Sequence, residues 1–496
     1  MHSERTAYRQ VFKATSLFGG VQVFQILIAV IRSKVIAVLL GPVGMGISGL
    51  LHTTLNFISE LTGAGLDRSA VKDVSAALGK NDEQKIVRVL GVLRRLVWFT
   101  GLLGALLTMA FSTLLSQWAF GSSEFTLAFI WIAVAILLKQ LAYGNLAVLQ
   151  GLRKLKQLAK ANLTGSFVGL LIVIPLYYYF RIEAIAPAIV ISFLMTFLFS
   201  SYYAKKVKLQ PEKVTTKEAF TDGKEMIRLG VMMSVSSLLV ALGMFLTQLF
   251  VSNVGGVDEV GFYHAGVVII NSYVGMIFNA MSTDYYPRLA AIADDINKIR
   301  ETVLHQAYIA VLLITPIIVL FLIFAEIVII LLYSREFLPV VAFLVWAITG
   351  TIFKAVSFSM GYIFIAKGDS KIFLKTAVLF NSLLLLMNIA GYYFGGLVGL
   401  GISFFTYYIL HLILVATITK RAYNFYFPKK FYKLFLICLM FCLLTFGSLF
   451  IENIFLKYFN LALLLVTSVS FSFYLLNRKM DLMEVVKSYI NKIWKN

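Results

Sequence analysis

Charged residues are scarce in this sequence of 496 residues, of which 14% are charged and 60% are hydrophobic. A soluble globular protein of this length needs far more charge on its surface, so that class is excluded. Alternating segments of about ten residues, the mark of a transmembrane β-barrel, are missing. Apolar stretches of about 20 residues recur instead, each able to cross the bilayer as a helix. The sequence therefore predicts an all-α polytopic membrane protein.

Cysteines and catalytic motifs are also few. Cys438 and Cys442 are the two cysteines, and their spacing within one apolar stretch predicts packing on one helix face rather than a disulfide. The sequence contains no phosphate loop, glycine-rich nucleotide motif or His/Cys/Asp cluster. It therefore predicts no cofactor, no metal and no enzymatic activity. The net charge of +20 lies mostly in short loops, which argues against a nucleic-acid partner.

Fourteen spans are predicted, the first being too long for a signal peptide. They cover residues 14–40, 44–66, 90–115, 125–149, 161–180, 184–204, 229–252, 260–283, 304–332, 338–366, 376–394, 398–419, 433–452 and 458–477. An even number of spans places both termini on one side of the membrane. Lys and Arg crowd one set of loops, whereas the opposite loops carry only Arg181, Arg335 and Lys457. This asymmetry predicts cytoplasmic termini.

An internal repeat is indicated by two lysines within apolar stretches, Lys139 and Lys354. Each precedes a further lysine pair by the same intervals, the pairs being Lys156 with Lys160 and Lys371 with Lys375. Two parallel six-helix lobes are expected, with a binding region where they meet. The predicted divisions are an N-terminal lobe (1–204), a cytoplasmic linker (205–228), a C-terminal lobe (229–420), and an appended helix pair with a cytoplasmic tail (421–496).

Apart from Arg94, Arg95 and Lys433, which belong to the basic loops at span ends, four cations fall inside predicted spans: Arg32, Lys34, Lys139 and Lys354. A cation at the centre of a membrane helix costs roughly 2.5–3.5 kcal/mol, so it persists mainly beside water or a counter-charge. Lys139 lies about 18 Å along its helix from Gly151, at about 1.5 Å per residue, which places it near the midplane. Lys354 is expected at a similar depth.

Acidic partners for these cations are scarce, because the spans contain mainly Glu60 and Glu326, each close to one end. An unbalanced positive interior predicts an anionic ligand. Arg32 and Lys34 are two residues apart and point to nearly opposite helix faces, so which one faces a cavity stays open. Arg32 is favoured because its planar fork suits phosphate oxygens. Asn271 could line a cavity or bond neighbouring helices.

Arg32 is followed by Leu39-Leu40-Gly41-Pro42-Val43-Gly44-Met45-Gly46, and the second half contains Val257-Asp258-Glu259-Val260-Gly261-Phe262-Tyr263 and Tyr285-Tyr286-Pro287-Arg288-Leu289. These motifs resemble bacterial O-antigen and polysaccharide repeat-unit flippases, within the multidrug/oligosaccharidyl-lipid/polysaccharide exporter superfamily. The resemblance implies a V-shaped, two-lobe transporter of the bacterial inner membrane that works by alternating access. It implies an undecaprenyl-diphosphate-linked oligosaccharide as substrate, moved from the cytoplasmic to the periplasmic leaflet. Substrate-binding residues would be Arg32, Lys139, Lys354, Lys34 and Asn271.

Two other functions compete with this interpretation. A cation-coupled multidrug exporter of the same superfamily would need a buried carboxylate in the first or seventh span, and neither 14–40 nor 229–252 contains Asp or Glu. A membrane-embedded polymerase or ligase would need a large periplasmic loop, which the sequence lacks. The expected partners are the lipid-linked oligosaccharide, membrane lipids and the polysaccharide polymerase machinery.

Overall fold

The computed structural model describes residues 2–207, 209 and 211–480, without the side chains of residues 2–20, 272, 273, 283, 284, 479 and 480. The part of the predicted cytoplasmic tail from residue 481 onward lies outside the described residues. Within them, all regular structure is helical. The sixteen α-helices are α1 (His2–Gly63), α2 (Leu66–Gly79), α3 (Glu83–Ala110), α4 (Ser112–Phe120), α5 (Thr126–Gly151), α6 (Leu155–Phe180), α7 (Ile185–Lys205), α8 (Thr216–Asp222), α9 (Lys224–Gly255), α10 (Val257–Val268), α11 (Gly275–Ala290), α12 (Ile296–Leu332), α13 (Val340–Ala366), α14 (Ser370–Tyr423), α15 (Lys429–Ser448) and α16 (Ile454–Met480).

Eleven continuous helical segments of the described chain are long and apolar enough to cross a membrane. Three of them, Val21–Gly63, Leu155–Lys205 and Ser370–Tyr423, each cover all or most of two predicted spans. The eleven segments therefore account for all fourteen, and the prediction of an all-α polytopic membrane protein is confirmed. The paired spans run together because the helix is interrupted by a kink or a short 3₁₀ turn rather than by a loop.

The interruptions of the helices recur in the second half of the chain at a constant distance in sequence. Three pairs of residues have positive φ and lie 215 positions apart: Gly41 (67°) with Gly256 (99°), Arg153 (54°) with Gly368 (68°), and Arg181 (51°) with Gly396 (53°). Positive φ is uncommon in a membrane helix and marks a turning point of the backbone. Lys139 and Lys354 are also 215 residues apart, so they occupy equivalent positions in the two halves. The exact limits of the predicted lobes stay predictions.

Contacts divide the chain into two compact units. The first comprises Met1–His264 with Leu332–Glu336, and within it α5 packs against α2, α3 and α7. The second comprises Ala265–Leu331 with Phe337–Asn496. Its most buried helix is α13, which packs along α14 and also contacts α15, the first helix of the appended pair.

A close helix crossing in the first unit joins α1 to α10. A Cβ atom on Gly46 would overlap the Val257 carbonyl, and one on Gly261 would overlap the Pro42 carbonyl. Pro42 and Val257 are 215 residues apart, as are Gly46 and Gly261, so the contact is reciprocal. Only glycine permits this approach, which explains why both motifs place glycine there.

The linker between the predicted lobes is fastened to α3 by Arg88. Its guanidinium contacts Glu212 and Asp222, each at 2.8 Å. Within the linker, the Thr215 side chain accepts a hydrogen bond from the Glu218 amide, and the Glu218 carboxylate accepts one from the Thr215 amide at 2.7 Å. This capping box holds the pKa of the Glu218 carboxyl below its ordinary value, because the Thr215 amide and hydroxyl stabilise the carboxylate.

Candidate functional site

Arg32 lines a cavity of about 520 Å³ in the first unit. The cavity is bounded by residues from α1, α2, α5, α6 and α7. The Nε atom of Arg32 is buried and has no hydrogen-bond partner among the described residues. A buried donor without a partner costs roughly 1–3 kcal/mol, more for a charged group, so a guanidinium held this way is suited to receive an anion.

Polar side chains surround Arg32 on several helices. On α6, Asn162 and Ser166 are four residues apart, as are Ser192 and Thr196 on α7, and this spacing turns each pair toward the cavity. Gln25, His52, Tyr143 and Gln150 also line it. Amide and hydroxyl groups both donate and accept hydrogen bonds, which is the chemistry that sugar hydroxyls require. Sequence reasoning missed most of these residues, although the i,i+4 polar pairs within apolar spans were a usable signal.

Lys139 lies at the middle of α5, as its sequence position predicts. Its Nζ atom donates a hydrogen bond to the Asn56 Oδ1 atom at 2.8 Å and lies 5.8 Å from the centroid of the Tyr143 ring. No carboxylate lies within ion-pair distance of this amine among the described residues. Its hydrogen-bond partner is a neutral amide, so no carboxylate offsets the charge of the Lys139 ammonium among the described residues.

Lys354 lies at the middle of α13 in the second unit. Its Nζ atom is 5.2 Å from the Phe278 ring centroid and 5.5 Å from the Tyr408 ring centroid. Within the part of the chain that the structure describes, it has no hydrogen bond and no ion pair. Two aromatic faces stabilise an ammonium by about 0.5–2 kcal/mol each, which offsets part of its burial without neutralising it.

Lys34 and Asn271 are placed differently. The Lys34 Nζ atom donates to the Tyr333 carbonyl at 2.5 Å and does not line the cavity, so of the two candidates in the first span it is Arg32 that does. Asn271 is exposed on a π-helical turn, Ile269–Val274, between α10 and α11. It follows Asn56, the partner of Lys139, by the repeat register of 215 residues.

Acidic partners were expected to be scarce near the cations, with Glu60 and Glu326 as the main ones, but Asp67 also lines the cavity that Arg32 lines. Asp67 stands at the start of α2, where positive φ angles at Ala64 and Gly65 turn the chain after α1. Hydropathy places it at a span end, and only this turn brings it to the cavity. Arg68 lies 4.0 Å from its carboxylate and balances part of the charge.

Comparison with known proteins relates this chain to polysaccharide biosynthesis. Residues 35–342 match the family described as "Polysaccharide biosynthesis protein". A lipid III flippase of Escherichia coli (strain K12) is 22% identical over 358 residues, covering 70% of this chain and 82% of that protein. A putative O-antigen transporter of Shigella flexneri is 24% identical over 295 residues, covering 58% of this chain and 68% of that protein.

Solved structures share the fold. The lipid II flippase MurJ in an inward closed conformation superimposes with a TM-score of 0.68 at 13% identity, over 95% of this chain and 99% of that one. An inward-facing multidrug resistance transporter of the MATE family superimposes with a TM-score of 0.69 at 16% identity, over 80% of this chain and 94% of that one. At such low identity these two similarities concern the fold alone.

Proposed function

Because this chain belongs to the polysaccharide biosynthesis protein family, we propose that it is a flippase for a lipid-linked oligosaccharide. The substrate would be an undecaprenyl-diphosphate-linked repeat unit of O-antigen or a related surface polysaccharide. It would pass from the cytoplasmic to the periplasmic leaflet of the bacterial inner membrane by alternating access, with both termini of the chain in the cytoplasm. The proposed activity is transport, and the polysaccharide polymerase machinery would act on the repeat unit after it has been flipped.

The observation that carries this proposal is the pair of unneutralised lysines, Lys139 and Lys354, at equivalent mid-helix positions. Neither is ion-paired within the described residues, and the amide oxygen and aromatic rings that contact the two amines carry no charge. An unpaired cation at this depth is costly unless it meets water or an anion. A diphosphate passing through the protein would supply the anion. Lys139 and Lys354 would each stabilise its negative charge at a different stage of its passage.

The cavity of the first unit supports a glycan as the rest of the cargo. Its volume of about 520 Å³ lies in the range of small-molecule sites, and its polar lining offers hydrogen bonds of both kinds. We assign Arg32 to the phosphate groups, and residues such as Asn162 and Ser192 to sugar hydroxyls. Lys34 and Asn271, the remaining candidates, would contact the substrate only outside this cavity.

The membrane potential would favour the proposed direction. Two negative charges moving outward across 100 mV gain about 4.6 kcal/mol, at about 2.3 kcal/mol per charge. A cationic drug would gain nothing in that direction, and the first and seventh spans lack the carboxylate that a cation-coupled exporter needs. These two points favour the flippase over the multidrug exporter.

The decisive experiment compares two double variants with the same change in charge. Lys139→Ala with Lys354→Ala removes the mid-helix pair, whereas Lys156→Ala with Lys371→Ala removes a pair at the same repeat register near helix starts. Each is produced in a strain lacking the gene, and surface glycan and lipid-linked intermediates are measured. We expect intermediates to accumulate and surface glycan to fall only in the first variant. Normal glycan in that variant, at normal protein level, would refute the proposal.

A further inference from the structure

A second cavity of about 210 Å³ lies in the first unit, and none of the described residues lines both it and the cavity of Arg32. It is bounded by α3, α5, α7 and, after α7, by Val207, Leu209 and Pro211. The transport mechanism proposed above makes no use of it. The cavity lies at the end of α7 where the hydrophilic linker begins, and therefore at a membrane surface.

The wall of this cavity is apolar over most of its length. Leu93 and Val97 of α3 face Leu141, Val148 and Leu152 of α5. The stretch from Leu141 to Leu152 spans about 16 Å at about 1.5 Å per residue, a length suited to an extended hydrocarbon chain. Such a wall excludes a free phosphate or a sugar as the main occupant, because neither can replace the lost hydration there.

Two cations, Arg94 and Lys205, stand at the exposed end of the apolar wall. Their side chains have no hydrogen bond or ion pair with any residue that the structure describes. Their sequence neighbours differ, since Arg95 donates from Nε to the Thr216 hydroxyl at 3.1 Å and the Lys206 amine lies 4.4 Å from the Tyr202 ring centroid. Arg94 and Lys205 are therefore the cations available to a ligand.

We propose that this cavity binds an anionic glycerophospholipid of the surrounding bilayer. One acyl chain would fill the apolar slot, and the headgroup phosphate would lie between Arg94 and Lys205. Basic pockets between membrane helices near the surface recognise anionic headgroups, and burial of the chain adds hydrophobic free energy. A zwitterionic phospholipid would bring its own cationic group along with its phosphate and would therefore leave the charge of the two side chains unbalanced. The site would tie α3, α5 and α7 to the linker.

Trp98 provides a direct test, because it lines the cavity and is 40% exposed. The full-length protein is placed in nanodiscs of phosphatidylcholine with increasing brominated phosphatidylglycerol, and the quenching that Trp98→Phe abolishes is recorded. We expect this quenching to saturate at a lower mole fraction with brominated phosphatidylglycerol than with brominated phosphatidylcholine.

Matched variants separate the site from general surface charge. Arg94→Gln with Lys205→Gln should raise the half-saturating mole fraction about fivefold for each cation removed. Arg95→Gln with Lys206→Gln changes the net charge equally and should leave it near the wild-type value. Ser201→Phe, which fills the half-buried wall, should abolish the quenching without lowering the melting temperature.

Three results would overturn the proposal. Equal quenching by both brominated lipids would show that the cavity binds an acyl chain without selecting an anionic headgroup. An equal rise of the half-saturating mole fraction in the two double variants would show that general surface charge, and not this cavity, attracts the lipid. Displacement by undecaprenyl phosphate at a lower mole fraction than by unlabelled phosphatidylglycerol would make the occupant the transported lipid. None of these measurements depends on transport activity, so they stand apart from the proposed flippase function.

Discussion

Replacing Asn56 by Asp would place a carboxylate beside the Lys139 amine without changing the lysine. The Asn56 Oδ1 atom lies 2.8 Å from Nζ, and Asn56 itself is exposed, so an aspartate fits there with little desolvation. The new ion pair should leave the fold intact while cancelling the field of the cation. Asn56→Asp therefore tests the charge of Lys139 rather than its volume.

The magnitude follows from Coulomb's law. A phosphate charge 4 Å from the amine is attracted by about 4 kcal/mol at an effective dielectric constant of about 20. A carboxylate on the far side of the amine would be about 7 Å from that phosphate and would repel it by about 2.4 kcal/mol. Since about 1.4 kcal/mol is tenfold in an equilibrium constant, substrate affinity should fall about 60-fold.

The assay is flipping of a labelled diphosphate-linked oligosaccharide in proteoliposomes over a range of substrate mole fractions. Asn56→Ser is the control, because it shortens the amide but leaves the charge of Lys139 uncancelled, and it should transport within a few-fold of wild type. If the Asp and Ser variants lose the same activity, the amide and not the charge matters. If Asn56→Asp transports normally, the role proposed for Lys139 is wrong.

Two further predictions concern the scaffold. Gly46→Ala should destabilise the protein by about 1–3 kcal/mol, because the new methyl overlaps the Val257 carbonyl. Gly243→Ala is the control and should be neutral or stabilising, because no heavy atom lies within 4 Å of its added methyl. Equal melting temperatures for the two variants would contradict the close crossing of α1 and α10. The lowered pKa of Glu218 means that its stabilisation of α8 is present above its ordinary value of 4.5 and lost as pH falls through the folded-state value. Amide exchange over 216–222, corrected for the intrinsic rate at each pH, should therefore rise in acid, and this dependence should shrink in Glu218→Gln, whereas an unchanged dependence would exclude Glu218 as the titrating group.

Hydropathy alone predicted the membrane spans, because a helix in hydrocarbon must be apolar along about 20 residues. It also separated spans one and two at Gly41-Pro42, although the structure turns there within one helical segment and not in a loop. The mid-helix positions of Lys139 and Lys354 were predictable for the same reason. Position along a membrane helix is thus readable from one sequence.

The side of the helix from which a residue makes its contacts was harder to predict than its position along the helix. The partner of Lys139 is Asn56, 83 residues away, and no local spacing reveals that pair. Asp67 reaches the cavity only because the backbone turns at Ala64 and Gly65, and Ala64 is not a residue that normally signals positive φ. Long-range packing determines such contacts, and a hydropathy profile contains no information about it.

The turning points of the two halves are not equally secured. At Arg181 the side chain reaches back and donates from Nη1 to the Leu39 carbonyl at 3.0 Å, beside the kink at Gly41. Gly396, its counterpart, has no side chain with which to make such a bond, and it follows a second glycine, Gly395. The turn at Arg181 is therefore held by a side-chain hydrogen bond, whereas the equivalent turn at Gly396 has no side chain that could make that bond. If the halves deform during a transport cycle, bending at this corner should be concentrated in the second half.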